Sequence, residues 1–421
     1  MNSKAFAVGR VSHQVAALLL ALAGSTAALA QQQPQQQQPT PESPFRADLP
    51  DTVRLGVGLD IERHSNLFAI PGGPSDTLLR VPLSVFYDRD FGNQRLRLDA
   101  TATPTKYLDN SRLDYVGYNA GGIWDIEFGR PAYGQFEGRV SRLRTPFDAA
   151  LTAVENLETR VFVRGLAGFR FTPSWSVFGA LDQSTLDNSG TISRQNDYTF
   201  RAYEAGLRYE PGNATDIDFF YRRTDGEYPN RQVLDSNGNV LPGGVDNNFS
   251  QDALLGRLTY RPTNDTSVTG TAGWTRREYA TVSERDFTGL TLGVLADWQW
   301  SGSVRMRLNL VRDIIPDTSL TASWVEIQRI AFDPQIRISG RTSLIPMVSW
   351  ERRLYDGDPG FVISGNPARR DTLTRWGLEA RYEFARNVYL NGYFWSLKRS
   401  SNYQQFEFTD NVLGLGVRTF F

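Results

Sequence analysis

The sequence predicts an all-β protein, a transmembrane antiparallel outer-membrane β-barrel of about eighteen strands, with sixteen as the lower count. Three observations carry that prediction. Segments of about ten residues alternate apolar and polar side chains from Val53 onward. The links between them are alternately tight and long. No window of the 421 residues holds the ~18 uninterrupted apolar residues that a membrane-crossing helix needs.

Each part of the chain follows in order. Residues 1–30 read as a cleaved secretory signal: Lys4 and Arg10 form a basic region, Val15 to Ala23 an apolar one, and Ala28-Leu29-Ala30 a small-residue cleavage site. Residues 31–50, rich in Gln and Pro, have too little apolar surface to offset chain ordering and read as a disordered periplasmic lead-in. Residues 51–421 form the barrel. There Val53, Leu55, Val57, Leu59 and Ile61 alternate with Arg54, Gly56, Gly58 and Asp60. Later, Leu290, Leu292, Val294, Ala296 and Trp298 repeat the pattern, as do Trp376, Leu378, Ala380, Tyr382 and Phe384 against Arg375, Gly377, Glu379, Arg381 and Glu383. A strand sends successive side chains to opposite faces, so a period of two means a sheet with one apolar and one polar face. Tight turns are expected at Asp90–Asn93, Gly129–Tyr133, Thr172–Ser174, Pro211–Thr215, Pro262–Thr266, Ser301–Ser303, Asp333–Gln335 and Ala385–Asn387. Longer polar links such as Asn66–Asp76 and Asp225–Phe249 lie between them, which places both termini on the periplasmic side.

A soluble sandwich would also alternate. Aromatic pairs at strand ends argue for the membrane instead: Trp298/Trp300, Trp350/Tyr355 and Tyr393/Trp395 stand where interfacial girdles belong. The final residues Leu413, Leu415, Val417 and Phe421 resemble the assembly signal of Gram-negative barrels, although Thr419 interrupts the apolar series.

Composition excludes several chemistries. The chain has no cysteine and two histidines, so thiolate metal sites, cysteine nucleophiles and histidine clusters are ruled out. Basic and acidic residues number 45 and 46, a balance unlike that of a nucleic-acid binder. Lysine occurs only at 4, 106 and 398. The arginines concentrate in the polar register, facing the lumen if the apolar register faces lipid. Among them Arg305, Arg307, Arg337, Arg341, Arg375 and Arg381, with Glu379 and Glu383, are the candidate solute pathway, a basic stripe on one wall. Arginine offers a planar fork for carboxylates, phosphates and sugar hydroxyls. Cross-strand pairing with interleaved acids is the plainer role for most of them. His64-Ser65 reads as a lone loop dipeptide rather than catalytic machinery, and no cofactor or metal motif is present.

Asp51-Thr52-Val53-Arg54-Leu55, Ser65-Asn66-Leu67-Phe68, Gln94 to Ala100, Gly226 to Arg231, Arg285 to Gly289, Arg370-Asp371-Thr372 and Arg399 to Asn402 form an ordered series of short motifs. In that series the chain resembles the EpsL-type outer-membrane proteins of exopolysaccharide biosynthesis, in the β-barrel porin 2 group. The resemblance implies a component supporting exopolysaccharide export or assembly. Its partners would be exopolysaccharide and periplasmic export components, besides outer-membrane lipid, lipopolysaccharide and the barrel-assembly machinery. Composition and pattern leave two alternatives open: a general or anion-preferring porin for small solutes, and a non-conducting barrel that docks periplasmic machinery.

Overall fold

A strand with one face in hydrocarbon must pair every backbone N–H and C=O with another strand, and only a closed sheet leaves no edge. The computed structural model shows that closure. It describes residues 53–421 except 149–154, 192, 213, 232–246, 264, 281–282, 317–321, 323 and 357–367. The expected signal and lead-in lie outside the described residues.

The chain begins with β1 (Arg54–His64), β2 (Asp76–Arg80), β3 (Leu83–Phe91), β4 (Gln94–Tyr107) and β5 (Tyr115–Phe128). There follow β6 (Ala132–Arg144), β7 (Leu157–Arg170), β8 (Trp175–Asn188), β9 (Tyr198–Gly212) and β10 (Thr215–Glu227). The second half holds β11 (Phe249–Thr263), β12 (Thr266–Tyr279), β13 (Phe287–Ser301), β14 (Val304–Pro316) and β15 (Trp324–Phe332). Last come β16 (Gln335–Arg337), β17 (Thr342–Asp356), β18 (Arg370–Ala385), β19 (Val388–Ser401) and β20 (Phe408–Phe420). Every neighbouring pair is antiparallel, and β20 pairs with β1 from Gly56↔Phe420 to His64↔Val412, closing the barrel.

The barrel has eighteen staves, because two of them are interrupted. Both β2 and β3 pair with β1 and β4, and the break falls at Val81-Pro82. Both β15 and β16 pair with β14 and β17, with the break at Asp333-Pro334. Proline brings no N–H to the ladder, so a break there costs little more than the residue itself dictates. The turn expected at Asp333–Gln335 is therefore an interruption within a stave. The chain reverses further on, where Ile338 N donates to Thr342 O at 2.9 Å. Elsewhere the tight turns use residues that tolerate positive φ: Gly92 (+64°), Gly129 (+70°) and Asn387 (+64°).

Burial is inverted relative to a water-soluble domain. Leu55, Val57, Leu59 and Ile61 are exposed, while Asp60 and Glu62 between them are buried. The same inversion runs along β13, where Leu290 and Leu292 are exposed and Thr291 is not. Outward aromatics ring the tight-turn end: Phe91, Phe128, Phe169, Trp175, Trp300 and Phe384. Three of the expected girdle residues depart from that pattern: Tyr355 is buried, and Tyr393 and Trp395 line the lumen. The outward members, Trp300 and Trp350, are exposed. Leu413 and Leu415 are exposed on β20, and Phe421 exchanges backbone hydrogen bonds with Leu55 at 2.9 and 3.2 Å.

Candidate functional site

Three clusters of charge stiffen the inner wall, each assembled by strand register. On β7–β11, the pairings Arg164↔Asp182 and Arg222↔Glu204 put opposite charges side by side. Arg164 Nη2 donates to Glu204 Oε2 at 2.5 Å and Arg222 Nη1 to Asp182 Oδ2 at 2.8 Å; Arg222 also pairs with Glu204. Beside them Arg208 Nε donates to Asp218 Oδ1 at 2.8 Å, while Arg257 lies over the Phe220 ring at 4.9 Å. All but Arg208 of these charged groups are buried, so the wall here is densely packed.

The second cluster joins the two ends of the chain. Glu62 accepts hydrogen bonds from Arg80 at 3.0 and 3.1 Å and from Tyr393 Oη at 2.5 Å. His64 ends β1, with its ring between Glu62 Oε1 at 2.6 Å and Asp410 Oδ2 at 2.7 Å. It is thus an inward, half-buried strand residue and not the loop histidine expected from sequence. Ser65 Oγ donates to Asp410 Oδ1 at 3.3 Å, so its hydroxyl is directed at the carboxylate rather than at the imidazole.

The third cluster surrounds a loop that folds inward. Thr145, Pro146, Phe147 and Asp148, which follow β6, line the lumen. Phe147 meets Phe68 edge-to-face at 5.0 Å and packs with Leu67, Leu78, Tyr107 and Leu113. Arg399, on β19, donates to the Asp148 carbonyl across the lumen. Around it, Arg353 Nε donates to Glu351 Oε1 and Arg369 pairs with Asp371, both at 2.5 Å. Arg375 lies over the Trp395 ring at 5.2 Å and has no ion pair among the described residues.

These walls enclose a cavity of ≈ 810 Å³. Among the described residues, nine inward-facing arginines and seven inward-facing carboxylates line it, so positive charge is in excess. Of the residues expected to form the solute pathway, Arg375, Arg381 and Glu379 line this cavity. Arg381 Nε donates to Glu379 Oε1 at 2.5 Å, which neutralises much of its charge. Arg305 and Arg307 on β14 flank Asp297 at 2.6 and 3.8 Å, below the cavity. Arg337 closes β16 and Arg341 stands in the following turn, where its carbonyl accepts from Glu383 N at 2.8 Å. The structure therefore divides the expected stripe: two arginines reach the cavity, and four stay near the tight-turn rim. Parity had already put Arg139 on the inner face, but not in the candidate solute pathway; its side chain is 47% exposed in the cavity lining although it touches Glu137 at 2.7 Å.

A closed barrel with an apolar exterior, a charged interior and long loops at one end is a β-barrel of the Gram-negative outer membrane. Solved structures similar to it include OpdK of Pseudomonas aeruginosa, at 10% identity over 88% of this chain and 99% of that one, with a TM-score of 0.45. OccK2 (OpdF) of the same organism matches at 11% identity, over 87% and 97% of the two chains, with a TM-score of 0.47. A BenF-like porin from Pseudomonas fluorescens Pf-5 matches at 10% identity over 88% and 99%, with a TM-score of 0.46. No protein-family model matches the sequence, and no curated protein does.

Proposed function

We propose that the protein is a diffusion channel for small hydrophilic solutes with a preference for anions, carrying solutes rather than transforming them. The observation behind this reading is the cavity: ≈ 810 Å³, narrowed by the Phe147–Asp148 loop and lined by an excess of arginine. That volume is of the size that holds one small molecule. Fixed cations in a narrow, low-dielectric passage raise the local concentration of anions. Support for polysaccharide export rests on the sequence resemblance, and a growing polymer would need the inward loop to be displaced. Planar-bilayer reversal potentials test the proposal. The wild-type channel should favour chloride over potassium, and R139Q/R375Q should reduce that preference while the barrel stays folded. A wild-type channel that favours potassium, or one that passes no ions while its loss abolishes polymer secretion, overturns it.

A further inference from the structure

The outer surface carries a second charge pattern that solute passage does not require. Five basic side chains stand outward at the long-loop ends of the staves: Arg352 on β17, Lys398 on β19, Arg63 on β1, Lys106 on β4 and Arg142 on β6. Their register partners face outward with them: Thr372 beside Arg352, Thr374 and Thr409 beside Lys398, Leu79 beside Lys106, and Tyr118 beside Arg142. Each is the next outward residue above a lipid-facing apolar one or a small residue capping such a run. Trp350 precedes Arg352, Ile61 precedes Arg63, Pro104 precedes Lys106 and Val140 precedes Arg142, while Ser396 separates Lys398 from Phe394. The five therefore sit where the hydrocarbon ends and the outer headgroups begin.

None of the five has an ion pair among the described residues; Arg63 reaches only the hydroxyls of Thr77 and Ser75, at 3.2 and 3.3 Å. Several other outward charges, on β9 to β15, behave differently. Arg201 pairs with Glu227 at 2.7 Å, Arg223 with Asp225 at 3.3 Å, Arg312 with Glu326 at 3.1 Å, and Arg276 with Glu278. Asp187 on β8 has no ion pair among the described residues, and Arg370 on β18 adds to the first group a further outward cation unpaired among them. One arc of the barrel thus carries paired charges and an unpaired acid, and the other is left positive. Lysine use points the same way. Lys106 and Lys398 are the only lysines beyond position 4, and both lie on the positive arc. A long apolar stem with a mobile point charge suits a residue that must follow a headgroup, whereas the lumen uses the rigid fork of arginine.

We propose that this arc, from β17 through β1 to β6, binds the phosphate groups of the outer-leaflet glycolipid. Complementary charge and membrane depth together select a phosphorylated lipid. Native mass spectrometry of the intact barrel, in mild detergent with added diphosphoryl lipid A, tests the assignment. The wild type should retain this lipid, and the R63Q/K106Q/R142Q/R352Q/K398Q variant should retain it at least about tenfold less. Lipid A stripped of phosphate should bind both proteins equally weakly. R201Q/R223Q, on the arc of paired charges, should behave as wild type. Heat-shifted gel mobility confirms that each variant forms a barrel; if the five-residue variant does not, K106Q/K398Q decides, with reduced retention as the expected result. Unchanged retention, equal binding of the stripped lipid, an equal loss in R201Q/R223Q, or displacement by inorganic phosphate at the lipid's concentration would each overturn the proposal.

Discussion

Glu204 shows how much one lumen side chain can hold together. It accepts from Arg164 and Arg222, and all three are buried. Replacing it by glutamine leaves two guanidinium groups sharing Asp182. Breaking a buried pair from one side costs about 3–5 kcal/mol, far more than losing a solvated one. E204Q should therefore lower the temperature of the heat-induced mobility shift markedly. D125N, which removes a partner of Arg97 from a carboxylate 30% exposed, should move it little. Equal shifts would mean that the lumen screens both pairs alike. His64 makes the converse point: a residue that looks solitary in sequence acquires its two carboxylate neighbours from β1 itself and from β20, 346 positions away.

At the scale of the strand, the lipid face and the lumen face differ in what they tolerate. On β13, Leu292 is outward, while Thr291 Oγ1 donates inward to the Gly273 carbonyl at 3.4 Å. Leu292→Arg should cost about 2–4 kcal/mol if the site lies near the bilayer midplane, and should impair barrel assembly. Thr291→Ser keeps the hydroxyl and should be nearly silent. Quantifying the heat-shifted fraction of each variant in isolated outer membranes checks this, and similar yields would reverse the assignment of faces. Glycine is used in the same local way. The Tyr133 ring lies across Gly168 and the Tyr393 ring across Gly414 on the neighbouring strands, where any Cβ would overlap the aromatic carbons.

For the whole molecule, the decisive feature is what the barrel does with its width. Eighteen staves enclose more space than the cavity occupies, and the difference is filled by inward aromatics and by the loop after β6. Leu186, Tyr198, Phe200, Phe249, Phe287 and Trp324 form a buried cluster under the outer loops, with the Tyr198 and Phe200 rings stacked at 4.0 Å. Phe147 anchors the inward loop through its apolar contacts, beside the Arg144 guanidinium over its ring and the Arg399 bond to the Asp148 carbonyl. Phe147→Ala should remove about 3 kcal/mol of packing and free the loop. Single-channel conductance should then rise and fluctuate more than in the wild type, with the barrel itself intact. An unchanged conductance would show that the narrowing lies elsewhere.

The sequence by itself determined the period, the two faces and the alternation of tight and long links, because each depends on neighbours one or two residues away. A two-residue period cannot be satisfied by a helix, and a polar face on every strand of an exported chain leaves few architectures beyond a membrane barrel. Tertiary structure decided what depends on register between distant strands. Asp333-Pro334 has the composition of a turn, yet the ladder continues across it because β14 and β17 supply partners on both sides. Tyr393 and Trp395 have the composition of a girdle, yet parity and pairing send them to the lumen, where Tyr393 meets Glu62. Arginine placement on the inner face was legible from parity; which arginines reach the cavity was not. Arg305 and Arg375 share that parity, but Asp297 engages the first near the rim, while the second lies against Trp395 in the cavity wall. Height along a tilted stave is set by the stagger of the whole sheet, a property no single segment contains.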